Sequence, residues 1–356
     1  MKVRTEGSSN YEYVTARVRS RRAKLFDEDD YRKLVRMSPS EMARFMEETE
    51  YETEMNALGT RHSGVDLVEY ALNRNLAKHF DDLLTWAEGP LYGYIANYLR
   101  KFDAWNVKTV IRGVYTDADS SDIDDDLIRT GEFSDRLLDR LIEAGRIEEV
   151  VETLSNTIFG GPLEDAMPDF ESEDVLVPLE NAVDRAFYAH LMDDIGTPAP
   201  DSPRALYREF LEAEIDFRNL RNALRIARSG ADIDPAEYFI EGGGLFRPEE
   251  LRQLAANVDQ LVERIRESTY GDDLSAALDE LAEANALIGF EHALDAALLE
   301  YSAKLSNRYP MSVCPVLSYV LAKEREVENI RAVARMFSTS RSLARTYEST
   351  GHTDIG

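Results

Sequence analysis

Apolar residues recur at three- and four-residue intervals along nearly the whole chain. The segment 136–154 (RLLDRLIEAGRIEEVVETL) shows this spacing, and 248–265 (PEELRQLAANVDQLVERI) repeats it behind a proline at the first helical position. That spacing gathers the apolar side chains on one face of a 3.6-residue helix. At 38–48 (SPSEMARFMEE) a serine stands three residues before a glutamate, the arrangement that caps a helix start. Period-2 runs rich in valine, isoleucine and threonine are absent, so no sheet is predicted. The expected fold is all-α. Helix breaks are expected at Gly89-Pro90, at the Pro198/Pro200/Pro203 cluster, and at Pro310 with Pro315.

Between those breaks the chain repeats itself. The pattern acid-x-x-Asn-apolar-base-x-x-x-Arg occurs at Asp103/Asn106/Lys108/Arg112, at Asp216/Asn219/Arg221/Arg225 and at Glu326/Asn329/Arg331/Arg335. A second pattern precedes each copy: VEYALNRNL (68–76), LENAVDRAF (179–187) and FEHALDAAL (290–298), with Glu69, Glu180 and Glu291 spaced 111 residues apart. Two motifs at matched offsets, three times over, mark a triplicated unit. A third element, an acidic segment, follows Arg112 and Arg225, and the N-terminal stretch YVTARVRSRRAKLFDEDDYRKLVRMSPSEM reads as a worn version of it behind a motif helix, because Arg19 precedes Asp29 by ten residues as Arg112 precedes Asp122. The units are drawn at 1–99, 100–207 and 208–310, and 311–356 forms a closing motif helix expected to pack back on the first unit.

Each break should reverse the chain, setting a glutamate-bearing helix antiparallel to the motif helix that follows. Counting outward from the break puts Glu69 level with Lys108 and Arg112, Glu180 level with Arg221 and Arg225, and Glu291 level with Arg331 and Arg335. One carboxylate–cation contact per unit is therefore expected, fixing register more than adding stability. A second reading has some of these arginines and asparagines lining a surface shared with a partner.

Composition narrows the function classes. The net charge is −27, and eight of the 41 basic residues are lysines. This argues against nucleic acid or anionic lipid as direct partners. It fits a protein working in high salt, where screening removes self-repulsion. With 44% apolar residues over 356 positions, the chain can bury a substantial core. A single cysteine, Cys314, excludes an internal disulfide and a cysteine-based zinc site and reads as a small buried residue. The N-terminus lacks the apolar core of a signal peptide, and no 18-residue apolar window exists, so a soluble or peripheral protein is expected.

Catalytic constellations are not found. His62, His79, His190, His292 and His352 form no His-x-x-x-His or Glu-x-x-His pair. There is no phosphate-cradling glycine motif, and the triple glycine at 242–244 reads as a helix-end turn. Asp81-Asp82 lacks the further aspartate that a metal–diphosphate enzyme needs, and the acidic runs at 122–126 and 232–234 read as solvated turns or caps. No cofactor or metal is expected. The one dense basic cluster is Arg17, Arg19, Arg21, Arg22 and Lys24, either a solvated helix face or a docking patch for an acidic partner.

Three stretches resemble one known family: the N-terminal YVTARVRSRRAKL, the DAWNVKTVIRG type of motif helix, and the C-terminal YPMSVCPVLSYVLAKEREVENIRAVAR, of which PVLSYVLAKEREVENIR is the most specific part. The family is that of the C subunit of the archaeal A-type ATP synthase, counterpart of the d subunit of vacuolar-type ATPases, and the resemblance runs over nearly the whole chain. It implies three similar helical modules in a pseudo-threefold funnel, without an active site. The funnel would sit on the cytoplasmic end of the membrane proteolipid ring as a peripheral protein and receive the central shaft. One copy in the complex would couple ring rotation to proton-driven ATP synthesis. The competing readings are a helical scaffold with an unrelated partner and an all-α metal–diphosphate enzyme.

Overall fold

The computed structural model describes residues 5 and 7–350, apart from 174, 201, 230–237, 256, 273, 276–277 and 280–286. The acidic run at 232–234 lies outside the described residues. Among the described residues there are seventeen helices and no strand. The first group is α1 (Tyr11–Arg22), α2 (Glu28–Leu34), α3 (Pro39–Met46), α4 (Glu52–Leu58) and α5 (Gly64–Trp86). The second is α6 (Pro90–Leu99), α7 (Lys101–Tyr115), α8 (Ser120–Asp126), α9 (Asp135–Ile142), α10 (Ile147–Leu154), α11 (Gly160–Glu173) and α12 (Val177–Ile195). The third is α13 (Pro203–Ser229), α14 (Pro248–Ala255), α15 (Val258–Arg266) and α16 (Leu287–Arg308), and α17 (Cys314–Thr350) ends the series.

The helix starts follow the local chemistry. Asp27 and Ser134 accept from the first-turn N–H groups of α2 and α9, and Ser38 with Glu41 closes a capping box on α3. Pro90 and Pro203 open α6 and α13, so the unit boundaries drawn near 99 and 207 fall within these helices or at the α6–α7 junction. The segment 136–154 is two helices. The chain leaves α9 at Glu143, is extended at Arg146, and re-enters α10 with its apolar residues back in phase. The segment 248–265 likewise breaks at Asn257, whose side chain caps α15. Apolar periodicity is blind to a break that resumes in phase. The acidic run at 122–126 is helical too, within α8.

One contact recurs in every unit. The acid that opens each motif is buried and reaches the backbone of a loop elsewhere in its unit. Asp103 accepts from the N–H groups of Glu132 and Phe133 at 2.9 and 3.0 Å. Asp216 accepts from the Leu245 N–H at 2.9 Å and the Tyr270 hydroxyl at 3.1 Å. Glu326 accepts from the Phe26 N–H at 2.6 Å and the Tyr51 hydroxyl at 2.7 Å. The motif asparagine adds a second clamp. Asn106 both donates to and accepts from the Ile128 backbone, and Asn219 does the same with Ile240. Asn329 meets the Tyr31 side chain instead. The three acids, Asn106 and Asn219 are structural: each satisfies loop backbone that would otherwise be buried without partners.

Glycine makes room for the two aspartates. A Cβ on Gly131 would collide with the Asp103 carboxylate, and one on Gly243 with that of Asp216. The triple glycine at 242–244 is therefore the seat of a buried carboxylate rather than a helix-end turn. In the first unit the acid is Glu326, one methylene longer, and the corresponding loop (KLF, 24–26) carries no glycine.

The first unit is completed by the last helix. The contacts that α7 makes within the second group and α13 within the third are made on the first group by α17, not by α1. The N-terminal segment is thus not a motif helix. Instead α1 packs on α17 and α5, with Val14 and Val18 buried. The α5–α17 contact buries His79 against the Tyr319 hydroxyl. Burial and the nearby Lys323 push the His79 pKa down to about 2. The unfolded chain then binds a proton below the usual histidine pKa that the folded chain does not, so stability falls with falling pH from about 6.5. Replacing His79 by Asn should lower stability at pH 7.5. It should also remove up to about 1.4 kcal/mol per pH unit from the acid-side slope, read from urea melts between pH 4 and 7. An unchanged slope would refute the assignment. In a second set of melts, Gly243→Ala should cost about 1–3 kcal/mol by crowding Asp216, and Gly244→Ala, whose added carbon meets only ordinary contacts, much less. Equal losses would remove the argument from the aspartate seat.

Candidate functional site

The repeated bases and glutamates form a two-rung ladder in each unit. On the outer rung Arg112 meets Glu180 at 2.6 Å, Arg225 meets Glu291 at 2.5 Å, and Arg335 meets Glu69 at 2.6 Å. The last two are bidentate, with second bonds of 2.8 and 2.7 Å. On the inner rung Lys108 meets Asp184 at 2.6 Å, Arg221 meets Asp295, and Arg331 donates to the Asn73 side-chain Oδ1 at 2.6 Å.

The partners differ from those expected. Glu69 pairs with Arg335 and not with Lys108 or Arg112. Glu180 pairs with Arg112 and not with Arg221 or Arg225. Glu291 pairs with Arg225 and not with Arg331 or Arg335. The glutamate helices α12 and α16 each pack on two motif helices, the one before and the one after them in the chain, and α5 packs on the last motif helix, α17. Counting from the intervening break gives height along the helix but not direction around it, so it cannot choose between them. The ladder glutamates lie on the side of the motif helix that precedes them, and for Glu69 that helix is the last in the chain. The arginines of the outer rung are half exposed, so each pair is worth at most about 1 kcal/mol and serves register. Arg225 accordingly holds the Glu291 carboxyl below its ordinary range.

The motif helices converge on one open cavity of about 210 Å³. Its wall carries Lys101, Trp105 and Lys108 from α7, Glu214, Arg218 and Arg221 from α13, and Glu324, Arg325 and Glu328 from α17. Asp184 and Asp295 join them from the glutamate helices. These two aspartates each bind two motif helices. Asp184 takes Lys108 of its own unit and Arg218 of the next at 3.2 Å, and Asp295 takes Arg221 and, at 3.0 Å, Arg325. The third junction is built differently. Asn73 stands where the others have aspartate, Trp105 stands at the position of Arg218 in the repeat, and the tie is Lys101–Glu324 at 2.7 Å. Burial raises the Glu324 pKa to about 7 against the pull of Lys101. Glu328 is exposed, yet desolvation raises its pKa as well, as fits a group standing in a confined opening.

Most of the remaining sequence candidates are engaged elsewhere. Of the basic cluster, Arg17 stacks on Tyr13 and Trp86, Arg21 pairs with Asp82, Arg22 donates to Ser318 at 2.7 Å, Lys24 pairs with Glu50 at 2.8 Å, and Arg19 is exposed. Asp81 accepts from Thr130 at 2.8 Å. Cys314 is buried. No cluster of potential metal ligands exists among the described residues, and among them no helix is long and apolar enough to cross a membrane. Sequence reasoning missed the cavity residues Trp105, Arg218, Glu214 and Glu328. Their signal is present, since they fall on one face at matched positions of the motif repeat, but only the packing shows that the three faces meet.

The partner assignment gives a direct test. Glu69→Arg should destabilise the chain by about 1 kcal/mol. Adding Arg335→Glu should restore most of the loss, whereas adding Arg112→Glu should deepen it. Urea melts of the two double variants at fixed salt decide, and rescue by Arg112→Glu would refute the observed connectivity.

Comparison with known proteins places this architecture. The family model described as ATP synthase (C/AC39) subunit matches residues 14–345. The C subunit of the A-type ATP synthase of Haloferax volcanii is 66% identical over 333 residues, covering 93% of this chain and 94% of that protein. Its counterpart in Halobacterium salinarum is 61% identical over 330 residues, covering 92% and 94%, and that of Methanosarcina mazei is 34% identical over 333 residues, covering 93% and 89%. With the match spanning nearly every helix that builds the ladder and the cavity, the chain belongs to the ATP synthase (C/AC39) subunit family.

Proposed function

We propose that the chain is a non-catalytic central-stalk subunit of a rotary A-type ATP synthase, linking the membrane proteolipid ring to the central shaft. In this reading three helical modules form a funnel, with the cavity as its mouth or throat. The modules run over 90–195, over 203–308, and over the N-terminal helices completed by 314–350. The protein stands on the cytoplasmic side, peripheral to the membrane through the ring, as one copy in the complex. The observation that carries the reading is the closure of the repeat: the last helix supplies the first unit with the same acid contact and arginine–glutamate pair that the other two units hold internally. A closed ring of packed helices resists shear where a row of linked domains would yield, and transmitted torque loads it in shear. The relatives' names supply the machine.

The test uses inverted membrane vesicles from cells lacking the chain. ATP synthesis driven by an imposed proton gradient should be absent and should return when purified chain is added back. Full synthesis without the chain would defeat the proposal.

A further inference from the structure

The cavity wall carries five cations and five carboxylates and pairs them unevenly. Its five cations are all engaged: Lys108 and Arg218 on Asp184, Arg221 and Arg325 on Asp295, and Lys101 on Glu324. Two carboxylates on the same wall have no ion-pair partner among the described residues. Glu328 stands exposed. Glu214 is 7% exposed, accepts from the Tyr188 hydroxyl at 3.0 Å with one oxygen, and lies beside the Tyr98 hydroxyl and the Arg218 charge, while its second oxygen is buried with no donor at full hydrogen-bond distance. Beside them Trp105 is 40% exposed, an unusual state for the largest side chain in a helical repeat whose other faces are packed.

An unpartnered carboxylate oxygen in a nearly buried side chain is costly until a donor arrives, and an exposed indole offers a stacking face to a planar cation. We infer that the cavity is a socket for one cationic side chain, an arginine or lysine at the end of a partner helix. Glu328 is its first acceptor, the Glu214 carboxylate draws it inward, and the Trp105 ring covers its flank. The inference rests on the proposed function, since the occupant is the shaft partner of that reading, and adds the chemistry by which it is gripped. Arginine suits the site better than lysine, because its guanidinium can stack on the indole while donating to two carboxylates. The junction without the aspartate bridge is then the one kept open for the partner: Asn73 and Trp105 stand where Asp184 and Arg218 neutralise each other.

The experiment measures rebinding of the purified chain to the remaining complex, isolated from cells that lack it. Wild type, Glu328→Gln, Glu214→Gln and Trp105→Ala are compared across a salt series. The two glutamine variants should each weaken binding tenfold or more and flatten its salt dependence. Trp105→Ala should weaken it severalfold, and Trp105→Phe less. Because Glu328 is exposed, its variant should melt with the wild type, separating lost binding from lost folding. A photoreactive phenylalanine analogue at position 105 should cross-link to a partner segment carrying an arginine or lysine within one helical turn. Glutamine variants that bind like wild type, or a cross-linked segment whose basic residues can be replaced by alanine without effect, would overturn the inference while leaving the proposed function intact. Failure of the wild-type chain to rebind would overturn both.

Discussion

The Glu326 carboxylate is held by the Phe26 backbone and the Tyr51 hydroxyl, groups that lie 300 and 275 residues earlier in the chain. Everything else in the architecture follows from this buried contact between the two ends. A glutamate 4% exposed, accepting from two donors and paired with a buried Lys323, cannot be released without stranding several polar groups at once. It fixes α17 on the first group of helices, so that the last helix completes the packing of the first.

The closure is economical because the same contact already exists inside the other units. Asp103 and Asp216 seat on glycine-bearing loops, and Glu326 reaches a loop without glycine by its extra methylene. Tyr51 and Tyr270 donate to the acid, whereas Phe159 occupies the matching place in the second unit and leaves Asp103 to backbone donors alone. Each unit solves one burial problem with a slightly different set of atoms. Burial raises the Asp103 pKa to about 7 against the pull of the Phe133 N–H and Arg100.

Symmetry is broken where the cavity needs it. Two junctions share an aspartate between neighbouring motif helices, and the third has Asn73 in place of the aspartate and Trp105 at the repeat position of Arg218. Dropping both members of a pair avoids the uncompensated charge that dropping one would leave. The cost is a lost tie, restored through Lys101 and Glu324, and the gain is an aromatic surface on the cavity wall.

Much of this is written in the chain as periodicity. Helical spacing with proline and glycine punctuation determines an all-α protein, and two motifs recurring at about 111 residues predict three like units within it. The types of residue on each rung determine that they meet as carboxylate and cation. Nothing in the sequence says which neighbour each glutamate faces, since height along a helix is a one-dimensional count and azimuth depends on packing against elements far away. Hence counting matches Glu69 with Arg112 although it lies against Arg335, and the N-terminal pattern suggests a motif helix whose place α17 fills. The cavity is likewise beyond the reach of sequence, because it belongs to no segment. It exists only where three helix faces, each an ordinary amphipathic pattern on its own, are brought around a common centre.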